Sequence, residues 1–244
     1  MSLLLIGSAA FAAAFVSGFA GFGGSFILAI ALTTAVGPKA VVPIIAVYAT
    51  FANLSRVYIY RNDVNWAFAI QFITASMPGL AIGALFLKWV PETVLLAVFG
   101  VVLLGVIPLR RYLKNANFAP TWQTTAVIGF VFGVVSGTAV GSGMFVIAAL
   151  NSFGLYSAML LGTDAVIGIV NAVSRVVTFT WLGLLTWPHF LAGLLTGLVS
   201  LPATWLASLL VKKVGQKLHT TIIEVVIALA GLSFLVSAIN RLWL

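Results

Sequence analysis

The chain is 244 residues long, 62% of them hydrophobic and only 7% charged, where a soluble domain carries about a quarter of its residues as charges; no water-soluble fold hides that much apolar surface. Its net charge of +8 is spread singly or in short clusters between apolar runs, which argues against a nucleic-acid surface and marks the basic residues as orientation signals. Cysteine is absent, which excludes a disulfide framework, a thiolate metal site and a cysteine nucleophile.

Each membrane-crossing helix needs about 20 apolar residues, so the length holds roughly six to eight of them. The first twenty residues join an apolar stretch to small residues but lack the basic region of a secretory signal, and they have a counterpart in mid-chain, so they are expected to be mature structure. In chain order the apolar segments are Leu3 to Thr33, Ala40 to Tyr60, Trp66 to Leu87 and Val94 to Leu109, then Trp122 to Leu150, Ala158 to Leu182, Phe190 to Val211 and Thr221 to Ile239. Each half is one overlong segment followed by three ordinary ones.

The halves also match residue by residue. Ser17-Gly18 recurs as Ser136-Gly137, Gly24 as Gly143, and Ser55-Arg56 as Ser174-Arg175, all at an offset of 119. Pro78 and Lys88 then match Pro202 and Lys212 at an offset of 124, so about five residues are gained around Trp187 and Pro188. Internal repeats of this kind characterise transporter folds. The expected fold is an all-α integral membrane protein, a polytopic helical bundle of two structural repeats, 1–116 and 117–244, forming one transport domain.

A continuous helix over Leu3 to Thr33 would run about 46 Å, well beyond the hydrocarbon core. Strong tilt is one answer, but both long segments are interrupted by small residues, as SGFAGFGGS over 17–25 and SGTAVGSG over 136–143, which reads better as two half-helices meeting at a break. If the long segments cross straight through, the loop Lys and Arg residues divide five against five. If each enters and leaves on one side, Arg61, Arg110, Arg111, Lys114, Lys212, Lys213 and Lys217 fall together, against Lys39, Lys88 and Arg241. Only the second division follows the positive-inside rule. It leaves three crossings per half, so the repeats are read as inverted.

Glycines at helical spacing, Gly79 with Gly83, Gly133 with Gly137 and Gly193 with Gly197, are read as close helix packing. The two breaks are read differently. A half-helix that starts inside the membrane exposes unpaired N–H groups, and its dipole favours an anion there. Gly21, Gly23, Gly24, Gly141 and Gly143 let an anion approach the backbone, and the hydroxyls of Ser17, Ser25, Ser136, Thr138 and Ser142 add donors. A dinucleotide fingerprint is not supported, lacking the strand before and the acidic residue after, and the potassium-filter signature is not matched.

Arg56 and Arg175 lie in or at the edge of apolar segments, with Asn53 and Asn171 three and four residues before them on the same helix face. A buried Arg costs about 2.5–3.5 kcal/mol to insert, which favours a role in binding for Arg175, whereas for Arg56, near its segment end, binding and snorkelling to the headgroups are equal alternatives. Asp164 stands inside its segment opposite Ile45 in the repeat register. As an isolated carboxylate it is the candidate proton carrier, about 16 Å along the helix from Arg175 and too far to pair with it. Glu224 is read as interfacial, Asp63 and Glu92 as loop residues, and most tryptophans as interface anchors. His189 and His219 flank helix ends, where solvation is commoner than metal ligation.

The paired glycine-rich openings, the stretches Asn53 to Arg56 and Asn171 to Arg175, and the length together resemble the TauE/SafE sulfite exporter family across the whole chain. The resemblance implies a bacterial inner-membrane permease for sulfite, sulfonates or related anions, exporting with the help of an ion gradient. The expected function is therefore alternating-access transport of a small anion, with a passive anion channel as the alternative. An enzyme is disfavoured by the lack of cysteine, of a histidine pair and of clustered carboxylates. No cofactor or metal is expected, and the partners are a small anionic substrate and membrane lipid.

Overall fold

The computed structural model describes residue 11 and residues 24–115, 121–211 and 216–243. Among them lie nine helices and one short 3-10 turn, with no strand: α1 (Gly24–Val36), α2 (Pro38–Tyr60), the turn Arg61–Asp63, α3 (Trp66–Trp89), α4 (Glu92–Asn115), α5 (Trp122–Thr138), α6 (Ser142–Ser152), α7 (Ser157–Trp181), α8 (Trp187–Val211) and α9 (Gln216–Trp243). Four spans among these residues, Pro38–Asp63, Trp66–Trp89, Glu92–Leu109 and Ala158–Trp181, are long and apolar enough to cross a membrane. The molecule is a helical membrane protein.

Local chemistry explains where the helices stop and start. Gly37, at φ 81°, separates α1 from α2, and Pro38 opens α2 where its missing N–H is no loss. Asn65 caps α3 by accepting from Phe68 N at 3.1 Å, and Thr121 caps α5 by accepting from Thr124 N at 3.3 Å. Helix α4 runs on through Arg110 and Arg111 to Asn115, past the apolar run that ends at Leu109, because arginine ends hydrophobicity without ending helix propensity.

The tightest crossing is between α3 and α5. A Cβ on Gly79 would lie 2.2 Å from Phe130 O, one on Gly133 2.1 Å from Ser76 O, and one on Gly137 2.4 Å from Leu80 O. The two backbones therefore touch, as small residues permit in lipid. Gly129, against Phe72 O, extends the same seam. Residue numbers climb together along it, so α3 and α5 run parallel. Gly193 and Gly197 of α8 pack on Val47 and Phe51 of α2 in the same way.

Two other crossings join matching helices of the two halves. Between α2 and α7, Arg56 meets Asp164, Asn53 meets Gly168, and Val42 meets Arg175; one number falls as the other climbs, so these helices are antiparallel. Between α4 and α9, Gly100 packs on Leu235 and Gly231, while Gly231 packs back on Leu104 and Gly100. These two helices are antiparallel as well.

The ends of the bundle follow from these directions. At one end Lys39 Nζ donates to Lys88 O at 3.3 Å and Arg241 pairs with Glu92 at 2.8 Å. At the other, Asn65 N donates to Thr163 Oγ1 at 3.0 Å and Gly162 packs on Tyr60 O. The second long segment starts at the Asn65 end, where α5 lies beside the first turns of α3. It also returns there, because the Phe153 ring lies 5.3 Å from that of Phe68. Helices α5 and α6 thus form a hairpin that enters and leaves on one side. Helix α1 finishes at Val36, at the opposite, Lys88 end.

Candidate functional site

The hairpin turns on a single residue. Helix α5 ends at Thr138, Ala139 N still bonds Val135 O at 2.8 Å, and Gly141 then takes φ 95°, ψ 5°, a left-handed conformation that a side chain disfavours. Helix α6 starts at Ser142 with no side-chain cap at Gly141, so its first-turn N–H groups carry the positive end of its dipole inside the fold. Ser142 is buried, whereas Gly143 is exposed and a Cβ there would meet nothing within 4 Å. The backbone here faces open space.

One turn before the break, Ser136 Oγ donates to Asn171 Oδ1 of α7. That bond orients the Asn171 amide and leaves its Nδ2, which is buried, with no partner among the described residues. Four residues on, Arg175 is only 5% exposed. Its Nη2 donates to Val42 O at 3.2 Å and its guanidinium sits 5.6 Å from the centre of the Phe179 ring. Arg175 Nε has no partner among the described residues, and no described carboxylate pairs with it. A buried cation lacking its counter-ion is costly unless an anion visits it.

Arg56 is in a different state. Its Nη2 lies 2.6 Å from Asp164 Oδ2, its Nη1 donates to Asn53 Oδ1 at 3.3 Å, and Asn53 Nδ2 in turn donates to Ala49 O at 2.9 Å. The expectation that Asp164 is an isolated carboxylate is overturned: the antiparallel crossing of α2 and α7 brings the arginine of one half to the carboxylate of the other. Arg56 therefore holds a counter-ion already, and Arg175 has none among the described residues.

The remaining expected residues divide. Thr138 Oγ1 lies 2.8 Å from Val134 O and 3.2 Å from Gly83 O, so its proton serves the α3–α5 seam. Gly24 opens α1 and Ser25 is half-buried in its first turn. Ser17, Gly21 and Gly23 lie outside the described residues, as does most of the first break. Ser136 and Asn171 are brought together one turn before the second break, and Arg175 follows one turn further along α7, bonded to Val42 of α2; Asn53 and Arg56 sit with Asp164 toward the Asn65 end. Glu92, expected in a loop, opens α4 and pairs with Arg241. His189 Nδ1 is buried without a partner among the described residues, where solvation was expected. Reading the sequence missed Val42, whose carbonyl holds Arg175, because a backbone acceptor leaves no trace in residue identity.

A groove of about 480 Å³ opens between Leu109, Val127, Val131 and Phe145. Val127 and Val131 are exposed, so it faces lipid and contains none of the charged residues above.

Residues 6–234 match the family model described as Sulfite exporter TauE/SafE. No curated protein and no solved structure matches the chain.

Proposed function

The chain belongs to the sulfite exporter TauE/SafE family, which makes it a multi-pass membrane transporter of the sulfite or sulfonate type, and from that premise we propose that Arg175, Asn171 and the α5–α6 break hold the transported anion. The observation that carries this reading is Arg175 itself, buried and without a carboxylate partner among the described residues. Its free Nε, the free Nδ2 of Asn171 and the first N–H groups of α6 are all donors of the kind that bind an oxyanion. Ser136 positions Asn171 and so prepares the site before the anion arrives. The open backbone at Gly143 gives the anion an approach that a side chain would narrow.

In this reading the halves 1–116 and 117–244 are inverted repeats. The antiparallel crossings of α2 with α7 and of α4 with α9 support that arrangement, each pairing a helix with its counterpart. Rocking of one half on the other would expose the anion first to one side and then to the other. The Asn65 end, with Arg61 and the basic end of α4, faces the cytoplasm by the positive-inside rule. The direction is export, as the family description suggests, and the membrane in this reading is the bacterial inner membrane. Gly24, which matches Gly143 in the repeat register and opens α1, would supply the second half of the cradle.

Purified protein in proteoliposomes loaded with radiolabelled sulfite tests the reading. Arg175→Ala should abolish flux while the protein remains folded by size-exclusion chromatography. Flux that survives this substitution would remove Arg175 from the site. Flux that never runs against a sulfite gradient, even with an imposed ion gradient, would replace transport by a passive channel.

A further inference from the structure

Arg56 and Arg175 are equivalent in the repeat register, and so are Ile45 and Asp164, each pair 119 residues apart. Arg56 follows Ile45 by eleven residues, and Arg175 follows Asp164 by eleven. On an α-helix eleven residues make three turns to within about 20° and cover about 16 Å, so both members of each pair share a face. Helices α2 and α7 run antiparallel, and Arg56 faces Asp164 at 2.6 Å. Moving eleven residues back on α2 and eleven forward on α7 therefore sets Ile45 across from Arg175. The bond from Arg175 to Val42 O places the guanidinium within one helical turn of Ile45. Ile45 is 2% exposed.

We propose that the crossing of α2 and α7 holds two equivalent anion positions, one filled permanently by Asp164 and the other left for substrate by Ile45. Where Arg56 has a carboxylate from the opposite helix, Arg175 has a methyl-bearing side chain that cannot compensate it. The substrate anion completes at Arg175 the ion pair that Asp164 completes at Arg56. Ile45 is thus the specificity-determining residue that keeps Arg175 available, and Asp164 prevents a second, unproductive anion from lodging at Arg56. The ligand class follows from the comparison: a single compact oxyanion head of carboxylate size, such as sulfite or a short sulfonate, with Asn171 Nδ2 donating to a second oxygen.

This inference rests on Arg175 as the substrate's partner, and binding of sulfite to the full-length protein in detergent, followed by calorimetry, separates the two. Ile45→Asp places a carboxylate opposite Arg175, and Ile45→Asn places nearly the same shape there without charge. Sulfite should bind Ile45→Asp at least about tenfold more weakly than Ile45→Asn, because the new carboxylate occupies the position the anion needs. Asp164→Asn carries an independent readout: the stoichiometry should rise from about one sulfite per chain toward two, the second at Arg56. Equal affinities in the two Ile45 variants, or a stoichiometry unmoved in Asp164→Asn, would overturn the inference while wild-type binding and its loss in Arg175→Ala leave the site itself standing. Wild-type protein that binds no sulfite, or Arg175→Ala that still does, would instead remove the site and the inference with it.

Discussion

Arg56 and Asp164, 108 residues apart in sequence, form a 2.6 Å ion pair whose side chains are 13% and 7% exposed. A pair this enclosed is strongly missed when one partner goes, since the other charge is left buried: Asp164→Ala should destabilise by about 3–5 kcal/mol. Replacing both by apolar residues, as Arg56→Met with Asp164→Leu, should recover most of that loss. Thermal unfolding of the two variants in detergent checks this, and a double variant no more stable than the single would refute it. The Arg241–Glu92 pair, at 46% and 43% exposure, is the contrast. Glu92→Gln should change stability by less than about 1 kcal/mol.

The α3–α5 seam predicts a sharp difference between glycines. At Gly133 an added methyl meets the Ser76 carbonyl at 2.1 Å, so two helices must move apart. Gly133→Ala should lower stability by about 1–3 kcal/mol, as overpacking does. Gly105, inside α4, has nothing within 4 Å of a Cβ. Gly105→Ala should leave stability unchanged or raise it by up to about 1 kcal/mol, since alanine is the better helix former. Comparable losses in both variants would show that the seam is not the reason Gly133 is small.

Much of this architecture is legible in residue types alone. Apolar runs bounded by charge place α2, α3, α7 and α8 to within a few residues, because membrane helices announce themselves by length and composition. The break at Gly141 is legible because glycine and serine cluster in the middle of an apolar segment that would otherwise have to tilt strongly to fit the bilayer. The division of Lys39, Lys88 and Arg241 from the other loop cations reads out the hairpin of α5 and α6. The Arg56–Asp164 pair was not legible when each helix was considered separately. It depends on which faces of α2 and α7 meet and in which direction, and the matching eleven-residue spacings become informative only once the helices are known to be antiparallel. Val42, and the pairing of Ser136 with Asn171, escaped the sequence for a related reason: the partners lie 133 and 35 residues apart, a distance that no local pattern encodes.

Gly141 and Gly143 should separate folding from transport. Gly141 holds φ 95°, and Gly141→Ala forces a side chain into a left-handed conformation at a cost of about 1–2 kcal/mol. That substitution should lower the unfolding temperature and disturb flux together. Gly143 sits in the first turn of α6 with open space before it, so Gly143→Ala should fold with unaltered stability yet slow sulfite flux by crowding the N–H groups. Equal flux in Gly143→Ala and wild type would take the α6 terminus out of the anion's path.

The absence of cysteine makes the membrane orientation directly measurable with single introduced thiols. Val36 and Trp89 lie at the Lys88 end of the bundle and are 39% and 77% exposed, while Asn62 and Tyr156 lie at the Asn65 end, Tyr156 at 64%. The Asn65 end carries Arg61 and the last turn of α4, with Arg110, Arg111 and Lys114 in its sequence, so the positive-inside rule turns it to the cytoplasm. An impermeant maleimide applied to intact cells should therefore label Val36→Cys and Trp89→Cys at once, and Asn62→Cys and Tyr156→Cys only after permeabilisation. The comparison of Val36 with Tyr156 is the decisive one, because one follows the first long segment and the other follows the second. Labelling of both from the same side would mean that the two segments emerge alike, and the inverted relation between the halves would have to be abandoned.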